Sequence, residues 1–192
     1  MLSQSGETKD VQRALQLASS ENIICFSVVN VVRSLIARMT NCGVYVHAGR
    51  ENGVASTKSF SCQVVALSLI AIWFAQQAGV AQEKREQLVQ DLQRLPTVCG
   101  MVLNQLRESS REIARLIQKS EHAFILGRGF AEPIAYEAAL KVKEITYIHA
   151  EGFSGGALKH GPFALIDEGT IIFLIVLDDE HLKFMTTVAH EV

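Results

Sequence analysis

Val11, Leu15 and Ala18 fall at i, i+4 and i+7, with Lys9, Asp10, Gln12 and Arg13 on the opposite face, a spacing that predicts an amphipathic helix near the start of the chain. Residues 23–29 (IICFSVV) form a continuous apolar, β-rich run of the kind buried on both faces of a parallel sheet. Residues 44–48 (VYVHA) form a second such run, with a short helix over 33–38 between the two. A loop over 49–57 then leads into a long apolar helix over about 58–77. Strand, helix, strand, helix points to a layered α/β domain.

Between residues 82 and 119 the pattern turns charged and helical. Leu88, Leu92 and Leu95 precede Pro96, and Ile113, Leu116 and Ile117 follow it, which predicts a helical connector broken at the proline. A second alternation begins at 123–126 (AFIL), passes through Gly127-Arg128-Gly129, and enters a helix from about Pro133 to Tyr147, the proline standing near the first turn where it is tolerated. Residues 170–177 (TIIFLIVL) predict the next buried strand, and a further helix starts near Asp179. The repeated strand, glycine turn and helix suggest a duplicated α/β domain. The halves are expected over 1–79 and 121–192, joined by a connector over 80–120, each a parallel sheet flanked by helices in three α/β/α layers.

Composition narrows the picture. With 48% apolar and 20% charged residues the chain reads as an ordinary soluble globular protein. A formal net charge of -2 and no basic cluster argue against nucleic acid as a partner. Cys25, Cys42, Cys62 and Cys99 are far apart with no Cys-x-x-Cys pair, so no zinc site and no disulfide framework is expected, and reduced thiols fit the cytoplasm. The most apolar stretch, 64–75, falls short of the ~20 residues of a membrane helix, so it is read as a core helix, with no membrane partner. Nothing at the N-terminus reads as a secretory signal. Only Met1-Leu2 precede Ser3, too few for a strand of about 5–6 residues, and the last helix is still running at Val192. The expectation is an internal fragment, truncated at both ends and lacking its first strand.

Three groups of residues could carry chemistry. Ser3-Gln4-Ser5-Gly6-Glu7-Thr8 places three hydroxyls and a glycine just before the first helix, where unpaired backbone N–H groups and a partial positive charge favour a phosphate. Ser5 or Thr8 is then the N-cap; an ordinary capping turn would use the same residue types. On the helix after Pro133, Glu137, Lys141 and Glu144 share one face with Ile148, either as a solvated salt-bridge face or as a cleft-facing carboxylate able to move a proton. Residues 149–162 read as a long glycine-rich loop in which His160, between Lys159 and Gly161-Pro162, is placed to act as an acid or base. Gly127-x-Gly129 lacks the third glycine of a dinucleotide fingerprint, so no nicotinamide cofactor is expected.

The strings SQSGET, GVASTK, GRG, EAALKVKEITYIHAEG and LKHGPFALID together resemble the sugar-isomerase (SIS) half of the glutamine:fructose-6-phosphate amidotransferases, across essentially the whole chain. The resemblance implies two SIS subdomains and a reaction that makes glucosamine 6-phosphate from fructose 6-phosphate and glutamine-derived ammonia, supplying UDP-N-acetylglucosamine synthesis without cofactor or metal. It implies that Ser3, Gln4, Ser5 and Thr8 hold the sugar phosphate and that Val54 and Ser56 approach the sugar. Glu144 would shuttle the proton between C1 and C2 with Lys141 beside it. His160 would assist ring opening in the neighbouring subunit's site, making a homodimer or higher homo-oligomer the functional unit. Several residues depart from the family. Leu2 follows Met1 where the family begins its amide-hydrolysing domain with Cys, its Schiff-base lysine would lie beyond Val192, and Ala157 replaces the usual Glu of GELKHGP. Arg50-Glu51-Asn52-Gly53 also varies the stretch before GVASTK. Two readings follow: an isomerase module inactive on its own in synthesis, and a non-catalytic SIS protein that binds sugar phosphates as a regulator.

Overall fold

The computed structural model describes residues 1–192. The chain divides into two compact units, Met1–Val102 and Leu103–Val192, the division falling in the last turn of one helix.

In the first unit the elements are β1 (Leu2–Ser3), α1 (Lys9–Ser20), β2 (Phe26–Val29), α2 (Leu35–Met39), β3 (Cys42–Tyr45), α3 (Lys58–Gln77) and α4 (Gln82–Gln105). The three strands form a parallel sheet in the order β1-β2-β3, with Ser3 opposite Val29 and Val29 opposite Tyr45. Leu15 of α1, Cys25, Val29 and Ile36 of α2 form the core, with Val11 and Ala18 packed on it, so the predicted stripe of α1 is the buried one. The strand expected to be missing is present for two residues. The terminal ammonium of Met1 donates to the Phe26 carbonyl at 2.7 Å and Val28 N–H donates to Met1 O at 2.9 Å, because parallel pairing asks only for backbone groups in register.

The strand boundaries also shift. Ile23 and Ile24 are exposed and precede β2, and β3 ends at Tyr45 instead of running to Ala48. The register explains the second change, since Tyr45 stands opposite the last residue of β2. The helix of residues 82–105 passes through Pro96 without a break, and the interruption comes at Leu106. Leu92, Leu95, Pro96 and Cys99 line a cavity of about 1040 Å³ with Ser61, Val65 and Leu69 of α3 and Val44 and Tyr45 of β3.

The long apolar helix is not a core helix in this chain. Only Ser59 of α3 is buried, and Trp73 and Phe74 are more than half exposed. At 20 residues it extends past the apolar run at both ends, and it is long and apolar enough to cross a membrane by length and composition. The four residues of β3 are exposed as well, where a strand buried on both faces was expected.

The second unit contains α5 (Arg107–Ile117), β4 (His122–Gly127), α6 (Ala131–Thr146), β5 (His149–Ser154), β6 (Ile171–Leu174) and α7 (Leu182–Glu191), with two 3-10 turns, Ala157–His160 and Pro162–Leu165. Its sheet is parallel in the order β5-β4-β6. Alternation along β4 sends Ala123 and Ile125 to one face, where they meet Ala135 and Ala139 of α6, and Phe124 and Leu126 to the other, where they meet Leu158, Met185 and Val188. This is the three-layer α/β/α arrangement expected. The first six residues of the predicted glycine-rich loop are instead strand β5, paired with β4 along its whole length and buried at Ala150. A side chain on Gly152 would stand 2.7 Å from the Tyr136 Cα, so this glycine lets α6 lie close on the sheet.

Gly152→Val is therefore expected to force α6 off the sheet and cost about 1–3 kcal/mol, the usual range for overpacking. Urea unfolding should show a lower midpoint at unchanged slope; an unchanged midpoint would mean that the close approach of α6 to β5 carries no packing energy.

Candidate functional site

The predicted phosphate turn leaves the sheet at the carboxyl end of β1. Gly6 N–H donates to Ser3 Oγ at 3.0 Å and Glu7 N–H to Ser5 Oγ at 3.1 Å, folding residues 3–8 into a tight turn. Gly6 has φ +68°, and a side chain there would collide with the Ser34 hydroxyl, so glycine is required on both counts. Glu7 accepts from Leu35 N–H at 2.8 Å and ties the turn to the start of α2. Thr8 is the N-cap of α1, but it makes no side-chain cap hydrogen bond; its Oγ1 lies 2.8 Å from Ser3 Oγ instead. The first amides of α1 are thus left without the partner that an ordinary capping turn supplies, which is the condition for receiving an anion.

Beside this turn lies a cavity of about 440 Å³ lined by Gln4, Asn30, Val31, Val32, His47, Gly49, Arg50 and Glu51. It opens at the carboxyl ends of the parallel strands, where ligands of open α/β sheets bind. Two residues not singled out from the sequence shape it. Asn30 is buried; its Nδ2 donates to Gly49 O at 2.7 Å and its Oδ1 accepts from Ala48 N–H at 2.8 Å, pinning the chain beyond β3. Glu51 accepts from Thr57 Oγ1 at 3.1 Å, from Ser59 N–H at 3.1 Å and from the Ser59 hydroxyl. It does for α3 what the N-cap Thr57 does not, since Thr57 makes no cap hydrogen bond of its own. A polar residue directly after an apolar strand run, and a carboxylate shortly before a helix start, were the available signals.

The loop Glu51 braces carries Val54 and Ser56. Val54 is 87% exposed, and Ser56 Oγ lies 3.2 Å from Ser59 Oγ. The larger apolar cavity on β3, α3 and α4 contains none of the predicted site residues.

In the second unit Lys141 stands between Glu137 and Glu144, 3.2 and 2.8 Å from their carboxylates, on the face of α6 that the spacing predicted. All three side chains are only 20–26% exposed, so this is a partly buried triad and not a freely solvated stripe. Burial pulls the Lys141 pKa down, yet the hydrogen bonds to Glu144 and Glu137 outweigh it and the net displacement is upward. The ammonium therefore stays charged throughout the neutral range. His160 ends the 3-10 turn Ala157–His160, exposed, while Leu158 anchors the turn in the core at 1% exposure. Lys159 pairs with Glu191 at 2.5 Å, and Ala157 is exposed. No hydrogen bond or ion pair connects His160 with Lys141 or Glu144.

Comparison with known proteins places this geometry. The sequence profile of the SIS domain matches residues 1–73 and 116–192. Glutamine–fructose-6-phosphate aminotransferase [isomerizing] of Chlorobaculum tepidum is 41% identical over 189 residues, covering 98% of this chain and 31% of that protein. The protein of the same name from Tropheryma whipplei is 46% identical over 176 residues, covering 91% of this chain and 28% of its own length. The C-terminal domain of glucosamine-fructose-6-phosphate aminotransferase from Francisella tularensis superposes with a TM-score of 0.94 at 35% identity, covering 99% of this chain and 54% of that one. The chain thus spans about 31% of the length of the first of these curated relatives.

The Ser59 hydroxyl, and then the Ser59 N–H, hold the Glu51 carboxyl below the ordinary carboxylate range against a smaller opposing effect of desolvation. Because the folded state lowers this pKa, the brace is fully present above the ordinary carboxylate value and is lost as pH falls through the lowered one. Hydrogen exchange at residues 54–59, corrected for intrinsic rates, should lose protection only in that acid window, whereas Glu51→Gln should be loosened already at neutral pH and lack the transition. Identical profiles for the two proteins would remove Glu51 from this role.

Proposed function

The chain belongs to the SIS-domain family, and on that premise we propose that it is the sugar-phosphate isomerase part of a glucosamine-6-phosphate synthase, which converts fructose 6-phosphate with glutamine-derived ammonia. The observation that carries this reading is the turn of residues 3–8, whose N-cap hydroxyl faces Ser3 and leaves the amides of α1 free for a phosphate. Gln4 reaches from that turn into the polar cavity shared with Arg50 and Glu51, where the sugar hydroxyls of a bound hexose phosphate find partners. Val54 and Ser56, on the loop that Glu51 braces, meet the sugar from the other side.

The chemical step requires a base that removes a proton from C1 of the ketose-derived species and returns it to C2. Glu144 fills this role, its carboxylate oriented by the Lys141 ammonium at 2.8 Å. His160, exposed at the end of its turn, serves as the ring-opening acid in the site of a second copy, so the working unit is a homodimer or a higher homo-oligomer. Ala157 leaves that turn without the carboxylate its relatives are expected to carry there.

Each hydrogen bond to a charged phosphate is worth roughly 1.5–3 kcal/mol. The double substitution Ser3→Ala, Thr8→Ala should therefore weaken fructose 6-phosphate binding by several kcal/mol in titration calorimetry, and equal affinities would refute the phosphate assignment. Glu144→Gln keeps shape but cannot accept a proton, so exchange at C1 of the sugar in deuterated water should slow by ~10²–10⁴-fold with phosphate binding nearly intact. That assay, followed by NMR in the polypeptide extended to the length of its relatives, also separates an isomerase from a sugar-phosphate-binding regulator, which would show no exchange at all.

A further inference from the structure

The cysteine spacing gave no reason to expect a metal, but the register of the second sheet brings together two histidines that lie far apart in sequence. His122 and His149 are the first residues of β4 and β5 and stand directly opposite each other. Their Nδ1 atoms are 3.2 Å apart, with the rings nearly perpendicular at 88°. Two imidazole nitrogens bound to one tetrahedral Zn²⁺, each at about 2.0–2.1 Å, lie about 3.3 Å apart. We propose that His122 and His149 form a binding site for one divalent transition-metal ion, Zn²⁺, that bridges the starts of β4 and β5.

A third residue decides which nitrogen is available. Glu151, two positions along β5 and so on the same face, has its Oε1 3.3 Å from His149 Nε2. A carboxylate this close to Nε2 favours the tautomer with its proton there, which leaves the lone pair on Nδ1, beside His122. A carboxylate behind a ligating imidazole is the arrangement that orients histidine toward a metal and raises its basicity. Without metal, His122 Nδ1–H donates to His149 Nδ1. On binding, His122 carries its proton on Nε2 instead, so two neutral imidazoles accept the ion with no net proton released. No third His, Cys, Asp or Glu completes the group, so water takes the remaining positions and the site stays open and exchangeable. Both histidines are exposed and within reach of ions in solution. The site shares no residue with the Lys141–Glu144 pair or His160.

The experiment is calorimetric titration of the full 192-residue chain with ZnCl₂, beside the double variant His122→Ala, His149→Ala. The exposed Cys42 and Cys99 remain in both proteins, so thiol binding cancels in the comparison. The wild type should take up one more Zn²⁺ than the double variant, and equal stoichiometries would overturn the site. In ¹⁵N NMR of the imidazoles, Zn²⁺ should move the Nδ1 resonance of His149 while Nε2 keeps its proton. Coordination through Nε2, or an unmoved Nδ1, would overturn the proposal even if the double variant did not fold. Glu151→Gln should lower affinity about 10–100-fold, the usual effect of losing such a supporting carboxylate; unchanged affinity would refute its part in fixing the tautomer.

Discussion

A parallel strand that stops pairing leaves backbone N–H and C=O groups that must find new partners, and the first unit is organised around meeting that requirement at one level of its sheet. Ser3, Val29 and Tyr45 form the last row of paired residues in β1, β2 and β3. Past it the strands exchange only the bonds from Asn30 N–H to Gln4 O and from Val46 N–H to Val29 O, and three side chains hold the chain as it leaves the sheet. The Ser3 hydroxyl receives the amide of Gly6, Asn30 holds both Ala48 and Gly49, and Glu51 receives the amide of Ser59. Each fixes a loop that belongs to the candidate site. The phosphate turn, the wall of the polar cavity and the Val54–Ser56 loop are therefore consequences of how the sheet ends.

The two units solve the burial problem differently. In the second, both faces of the sheet are covered, α6 on one side and α7 with Leu158 on the other, and helix and sheet come close enough that only glycine fits at 152. In the first, α1 and α2 supply the packed core, while β3, α3 and α4 surround an apolar cavity of about 1040 Å³ whose lining stays open. The hydrophobic effect makes such an exposed lining unfavourable in water, so its cost is offset only when something covers it.

Electrostatics follow the same economy of partners. The Lys141 side chain is largely shielded from water and would be costly alone, but the carboxylates one turn before and one turn after it on the same helix bring it to a net upward pKa displacement. Glu51 shows the converse, a carboxylate held in its charged form by a hydroxyl and an amide at the start of α3. In both cases the charge sets the position of a neighbour: Glu144 for the first, the Val54–Ser56 loop for the second.

Local patterns were enough to read the α/β class, the buried stripe of α1, the start of α6 near Pro133 and the tight turn at residues 3–8. These depend on interactions within a few positions, namely helical spacing, a proline in a first turn and a glycine where positive φ is needed. What depends on distant partners was decided by the tertiary structure. The end of β3 is set by its register with β2, and the strand character of residues 149–154 by pairing with β4. The exposure of α3 could not be read from its composition, because an apolar sequence states a preference for burial and not whether a covering surface is there. Glu51 and Asn30 were missed for the same reason: neither carries a local signature strong enough to stand out, and their roles exist only where the strands end and the loops return.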